Sequence, residues 1–219
     1  MKSFLDRRIH LAFLSLLVIC YIASWTGLFF FTVIFYVLSY FYFRQRDIEY
    51  NSDSDLTNRV VSAPVSGKVI NIEQSKSTED FRQEMSCLVV RVGPLNDFGI
   101  FSPINAEVKD VDKRVGLAHF RYRKNESTDA SAMRLILEDK QNIKLVIEFV
   151  QCTLGLLPQF KVLAGDFVKL GANIGYFPFG GIVKVYIPKG VKIMIRPGEE
   201  VVSGETILGG FEQLDNNNE

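Results

Sequence analysis

Gly175-Tyr-Phe-Pro-Phe-Gly-Gly-Ile-Val-Lys-Val-Tyr-Ile-Pro188 reads as a glycine turn running into a strand. Ile182, Val183, Val185, Tyr186 and Ile187 favour the extended backbone, while Gly180 and Gly181 permit a tight approach of neighbouring chain. A short internal repeat brackets this stretch. Gly165-Asp-Phe-Val-Lys-Leu-Gly171, followed by Ile174 and Gly175, matches Gly198-Glu-Glu-Val-Val-Ser-Gly204, followed by Ile207 and Gly209. In each copy the first glycine makes a tight turn, the valine enters the core, and the second glycine turns into the next strand.

Outward from there the chain is mainly β from residue 60 to residue 212. Ala63-Pro-Val-Ser-Gly67 is a turn leading into the strand Lys68–Ile72, and Cys87–Val92 and Arg134–Leu137 are further strand candidates. Lys144–Val150 is a stronger one, with Leu145, Ile147 and Phe149 alternating against exposed neighbours. Ser75–Glu84 is polar and suits a loop or a short surface helix. Residues 47–59 form a polar linker, richest in Ser, Asp and Asn from Asn51 to Asn58, and residues 213–219 a disordered polar tail.

The 219 residues suffice for one ordinary domain with accessory elements. Lys plus Arg and Asp plus Glu number 25 each, so the formal charge is zero, which argues against a nucleic-acid partner. The cysteines are Cys20, Cys87 and Cys152, an odd number with no metal-binding spacing, so no metal is expected and a reducing compartment is the simpler setting.

Residues 11 to 43 carry no charged side chain. As one helix the run would span roughly 50 Å, well beyond a hydrocarbon core of about 30 Å. Ser24-Trp25-Thr26-Gly27 offers a break, which predicts a transmembrane helical hairpin within residues 1–46, with arms Ile9–Ala23 and Leu28–Phe43. Each arm is slightly short, so the hairpin thins the bilayer or leaves its tip inside. Lys2, Arg7 and Arg8 before it, with Arg44 and Arg46 after it, place both ends and the β domain on the cytoplasmic side of the inner membrane. A cleaved signal peptide fits less well, because the apolar run is long and lacks a small-residue cleavage site.

The Gly-acid-x-Val-x-x-Gly turns resemble those of lipoyl and biotinyl carrier domains, which implies a β-sandwich or barrel-like fold. Carrier function itself would need a lysine at a hairpin tip, and neither Lys184 nor Lys192 lies in such a signature. A broader resemblance runs from about Arg7 to Phe211. Phe43-Arg44 after the apolar run, Ala63-Pro64-Val65-Ser66-Gly67, Asn125-Glu126, Gly175 to Gly180 and Gly204 to Ile207 follow the order found in the short, membrane-hairpin phosphatidylserine decarboxylases. That resemblance implies a carrier-like β domain and an enzyme that makes phosphatidylethanolamine. It also implies a Phe-Gly-Ser site whose serine backbone is split to leave a pyruvoyl group.

The family's chemistry needs a serine nucleophile, a histidine that takes its proton, and an aspartate that orients the histidine. Here Gly181 follows Phe179-Gly180 in place of the serine, Ser66 stands where the turn carries aspartate, and the histidine falls near Ile100 or Phe101. The two histidines present are His10, at the head of the apolar run, and His119, in a polar stretch. Ser66 and Ser203 do not follow Phe-Gly and make poor substitutes for the nucleophile. The expectation is therefore an uncleaved pseudoenzyme with no pyruvoyl cofactor. It would meet membrane phospholipid, or serve as a scaffold in a membrane complex or homo-oligomer. Arg121, Arg123 and Lys124 form a basic group that reads either as a phosphate hold or as a solvated charged loop. The alternative is an active phosphatidylserine decarboxylase proenzyme using non-standard residues.

Overall fold

The computed structural model describes residues 7–23, 25–42, 60–77, 84–94, 96–112 and 133–211. The chain divides into two compact units, Met1–Arg46 and Asp47–Glu219. The expected linker 47–59 and tail 213–219 lie outside the described residues.

The first unit is a pair of helices, α1 (Arg7–Ile22) and α2 (Thr26–Tyr42), with Trp25 between them. Phe13 packs against Phe35 and Tyr36, with ring centroids 5.9 and 5.2 Å apart. Hydroxyls inside these apolar helices bond their own backbone: Thr32 donates to the Leu28 carbonyl and Ser15 to that of Ala12, both at 2.8 Å. The two helical arms are present, but the expected transmembrane spans are corrected. At 16 and 17 residues, the helices reach only about 25 Å at roughly 1.5 Å per residue. Among the described residues, no helix is long and apolar enough to cross a membrane.

The second unit is mainly β. Its strands are β1 (Val60–Ser62), β2 (Gly67–Ser77), β3 (Glu84–Val92), β4 (Gly99–Phe101), β5 (Ala106–Asp112), β6 (Met133–Glu138) and β7 (Lys144–Cys152). They continue with β8 (Gln159–Phe160), β9 (Phe167–Val168), β10 (Asn173–Tyr176), β11 (Gly181–Pro188), β12 (Val191–Ile193), β13 (Glu200–Val201) and β14 (Ile207–Phe211). The large sheet runs β13-β2-β3-β11-β7-β6-β5-β9, and two smaller sheets run β1-β14-β12 and β4-β10-β8. The β11 strand is central, pairing antiparallel with β3 on one side and β7 on the other. Ser75–Ser77, expected in a loop or short helix, extend β2, because their backbone pairs with β3 through Lys76↔Met85 and Ser77↔Glu84.

One core holds Val69, Leu88, Val90, Leu135, Leu145, Ile147, Phe149, Val183, Val185 and Ile187, together with residues of the small sheets such as Ile100, Ile174 and Leu208. The alternation expected in β7 is only half right. Leu145, Ile147 and Phe149 face that core, but Val146 and Glu148 between them are buried too. The opposite face carries its own apolar cluster of Met85, Cys87, Val89, Val146 and Tyr186. Glu148 sits on that face with both oxygens engaged: Arg134 Nε donates to Oε1 at 2.7 Å and the Tyr186 hydroxyl donates to Oε2 at 3.1 Å.

Candidate functional site

The glycine turn before β11 is tightly enclosed. Phe179, Gly180 and Gly181 have successive φ angles of 57°, 70° and 148°, a left-handed run that L side chains disfavour. A Cβ built on Gly181 would lie 1.9 Å from the Gln151 carbonyl oxygen, and one on Gly180 would lie 2.4 Å from that of Val92. The cause is the pairing. Gly181 opposes Val92 of β3 and Cys152 of β7, so its α-carbon is wedged between two backbones. The Gly180 carbonyl accepts from Thr153 N at 2.9 Å, and Phe177, fully buried, meets Phe149 edge-on at 4.9 Å.

The other expected positions come to the same end of the sheet. Ile100 in β4 opposes Gly175 in β10, and the carbonyl of Phe98 accepts from Phe177 N at 2.7 Å. Phe101 N donates to the Pro64 carbonyl at 2.9 Å, which sets the turn carrying Ser66 beside β4. That turn enters β2 at Gly67, whose Cβ would lie 2.3 Å from the Arg91 carbonyl, while Ile182 opposes Arg91 from the other side. The Ser66 turn and Gly181 thus flank the end of β3, roughly 10 Å apart at two strand spacings.

None of the three positions offers a free reactive group. Gly181 has no side chain. Ile100 is a fully buried aliphatic residue. Ser66 Oγ is used twice, donating to Ser203 Oγ and accepting from Ser203 N, both at 2.9 Å. The two serines considered as substitute nucleophiles are therefore bound to each other, and both are buried. Lys184 lies mid-strand opposite Val89 and Glu148 rather than at a hairpin tip. The histidine His119, the basic residues Arg121, Arg123 and Lys124, and the pair Asn125-Glu126 lie outside the described residues; His10 lies in α1.

Two neighbours of the site escaped sequence reasoning. Asp97 Oδ1 accepts from Gly99 N at 2.9 Å, while its Oδ2 is buried with no hydrogen-bond partner among the described residues. Cys152 stands opposite Gly181, and burial pushes its thiol up to about 11. A thiol held protonated in this way is a poor nucleophile. The β7–β11 register brings Cys152 to the glycine turn, and the connection from β3 to β4 sets Asp97 next to Phe98, which packs on Phe179; no local pattern announces either.

The raised thiol has a consequence for stability. Unfolded Cys152 loses its proton near 9.0, but the folded thiol keeps it until about 11, so stability should fall as pH rises through that window. Tyr186 is shifted the same way, first by burial and then by the Glu148 charge. Thermal melts across this range should show the decline, and Cys152→Ala with Tyr186→Phe should flatten it. An unchanged slope would remove these groups as its cause.

A profile of the phosphatidylserine decarboxylase family matches residues 37–209. The chain belongs to the phosphatidylserine decarboxylase family. Similar proteins include the phosphatidylserine decarboxylase proenzyme of Anaplasma phagocytophilum strain HZ, 26% identical over 156 residues that cover 71% of this chain and 69% of that one. The proenzyme of Cytophaga hutchinsonii is 23% identical over 175 residues, covering 80% of this chain and 77% of its own. That of Ehrlichia ruminantium strain Welgevonden is 26% identical over 158 residues, covering 71% and 69%. Phosphatidylserine decarboxylase kinship thus spans the whole described β unit except the last two residues of β14, including the turn at Gly181. Where the family carries the serine from which its pyruvoyl group forms, this chain has Gly181, and a Cβ there would overlap the Gln151 backbone.

Proposed function

We propose that this chain is a catalytically inactive member of the phosphatidylserine decarboxylase family. It acts at the membrane by binding phospholipid or as a scaffold subunit of a membrane complex or homo-oligomer. One observation carries the reading: residue 181 is a glycine whose α-carbon leaves no room for the side chain that self-processing requires. Ser66, held by Ser203, and the aliphatic Ile100 add to it. No pyruvoyl group is made, and the chain stays whole.

The helical hairpin supplies the membrane contact. Leu14, Ile19, Tyr21, Phe30, Phe31 and Leu38 are all exposed, an apolar surface that water does not favour. The hairpin lodges in the inner membrane with its tip inside the bilayer, and the β domain faces the cytoplasm. The two matched glycine turns support a carrier-like sandwich for that domain. Arg121 and Arg123, with Lys124, hold a lipid phosphate.

Intact mass should return one chain of 24.9 kDa. Two fragments split beside Gly181, or turnover of phosphatidylserine in detergent above background, would restore the active proenzyme reading. Changing Arg121 and Arg123 to Ala should strip co-purified phospholipid. Unchanged lipid content would remove that pair from the proposal.

A further inference from the structure

The two copies of the internal repeat fold into the same turn. Gly165 N donates to the Val108 carbonyl at 2.8 Å, and Gly198 N donates to that of Val69 at 2.7 Å. Val108 N returns a bond to the Asp166 carbonyl and Val69 N to the Glu199 carbonyl, both at 2.9 Å. The acidic side chains close the turns alike: Asp166 Oδ2 accepts from Leu163 N at 2.8 Å, and Glu199 Oε2 from Arg196 N at 3.1 Å. Gly165 and Gly198 have φ of 95° and 97°.

The outward positions differ in chemistry. Leu163 and Phe167 in the first copy correspond to Arg196 and Glu200 in the second, and all four are exposed. Leu163 is 75% and Phe167 55% exposed. Because the second copy builds the same turn with two charged side chains, folding does not require apolar residues at the first. A turn this firmly bonded holds both apolar side chains out in water, where an apolar phase would favour them. Lys161 and Lys169, both exposed, flank the pair, which adds positive charge beside an apolar tip.

We propose that the tip formed by Leu163 and Phe167 docks into an anionic lipid bilayer. The two apolar side chains enter the boundary between headgroups and acyl chains, and Lys161 and Lys169 lie on the phosphates. This rests on the membrane placement proposed above, but it fails separately from it.

The test uses the full chain in vesicles of phosphatidylcholine and phosphatidylglycerol that contain lipids brominated on the acyl chain. Trp25 is the only tryptophan, so Trp25→Phe gives a silent background. In that background Leu163→Trp should be quenched by more than half with a blue-shifted emission, while Arg196→Trp, on the matching turn, should be quenched little. Adding Lys161→Glu and Lys169→Glu should lower the quenching of Leu163→Trp by about twofold or more, because each reversal meets an anionic surface. Equal quenching of Leu163→Trp and Arg196→Trp would overturn the proposal. So would a blue shift without quenching, which would mean that protein, such as a second copy, covers the tip. Protein that fails to float with the vesicles sinks both membrane readings; protein that floats with Leu163→Trp unquenched sinks this one alone.

Discussion

Gly181→Ser is expected to give a destabilised chain that remains whole, not one that splits itself. Residue identity alone would make the substitution a repair, since it restores Phe-Gly-Ser before a strand. The backbone says otherwise. At φ 148° a side chain is strained from the start, and its Cβ would stand 1.9 Å from the Gln151 oxygen. The two nearest atoms, the Gln151 carbonyl oxygen and carbon, are backbone of β7, which its pairing with β11 and β6 fixes. Strain and overpacking together should cost roughly 3 kcal/mol or more. Even a relaxed turn would lack the base that the resemblance calls for, since the position near which the family's histidine falls is the aliphatic Ile100. Denaturant melts should show the loss, and intact mass should show a single species. A Gly181→Ser protein that folds with unchanged midpoint and splits into two fragments would defeat the steric account and show that the machinery for self-processing survives around residue 181.

The same glycine explains why part of this site was readable and part was not. Phe179-Gly180-Gly181 lies on contiguous residues, so the missing hydroxyl was visible at once. β11 was equally plain, because five β-favouring residues follow the turn. Long strands such as β3 and β7 could likewise be found as apolar runs, although both faces of each are buried. The two- and three-residue strands β4, β8, β9 and β13 carry no period at all. They form because glycine turns and backbone bonds place them, as when Phe101 N reaches Pro64 or Val69 N reaches Glu199. Cys152 and Asp97 were missed for the same reason. Their relation to Gly181 is set by cross-strand register and by the β3–β4 connection, contacts that are distant in sequence. The apolar segment is a different case: composition locates both the run and its break at Trp25, and the arms left on either side, 16 and 17 residues, are too short for either described helix to cross a membrane.

Glu148→Ala should be the most damaging single change away from the glycine turn, at about 3–5 kcal/mol. Glu148 and Arg134 are 6% and 7% exposed, and β7 and β6 set them directly opposite each other. Removing the carboxylate takes the Glu148 ion pair from the buried Arg134 guanidinium and the Glu148 hydrogen bond from the Tyr186 hydroxyl. The price of burying ions also predicts a rescue. Glu148→Leu combined with Arg134→Met should recover most of the loss, because both charges then disappear from a face already lined by Val146, Met85 and Ile136. Tyr186→Phe alone should cost less than Glu148→Ala, since it leaves the Arg134–Glu148 ion pair in place. Urea melts of the single and double variants decide the matter through their coupling. If Glu148→Leu and Arg134→Met simply add, the pair is not an electrostatic unit. The second face of the sheet would then be held by its apolar residues alone.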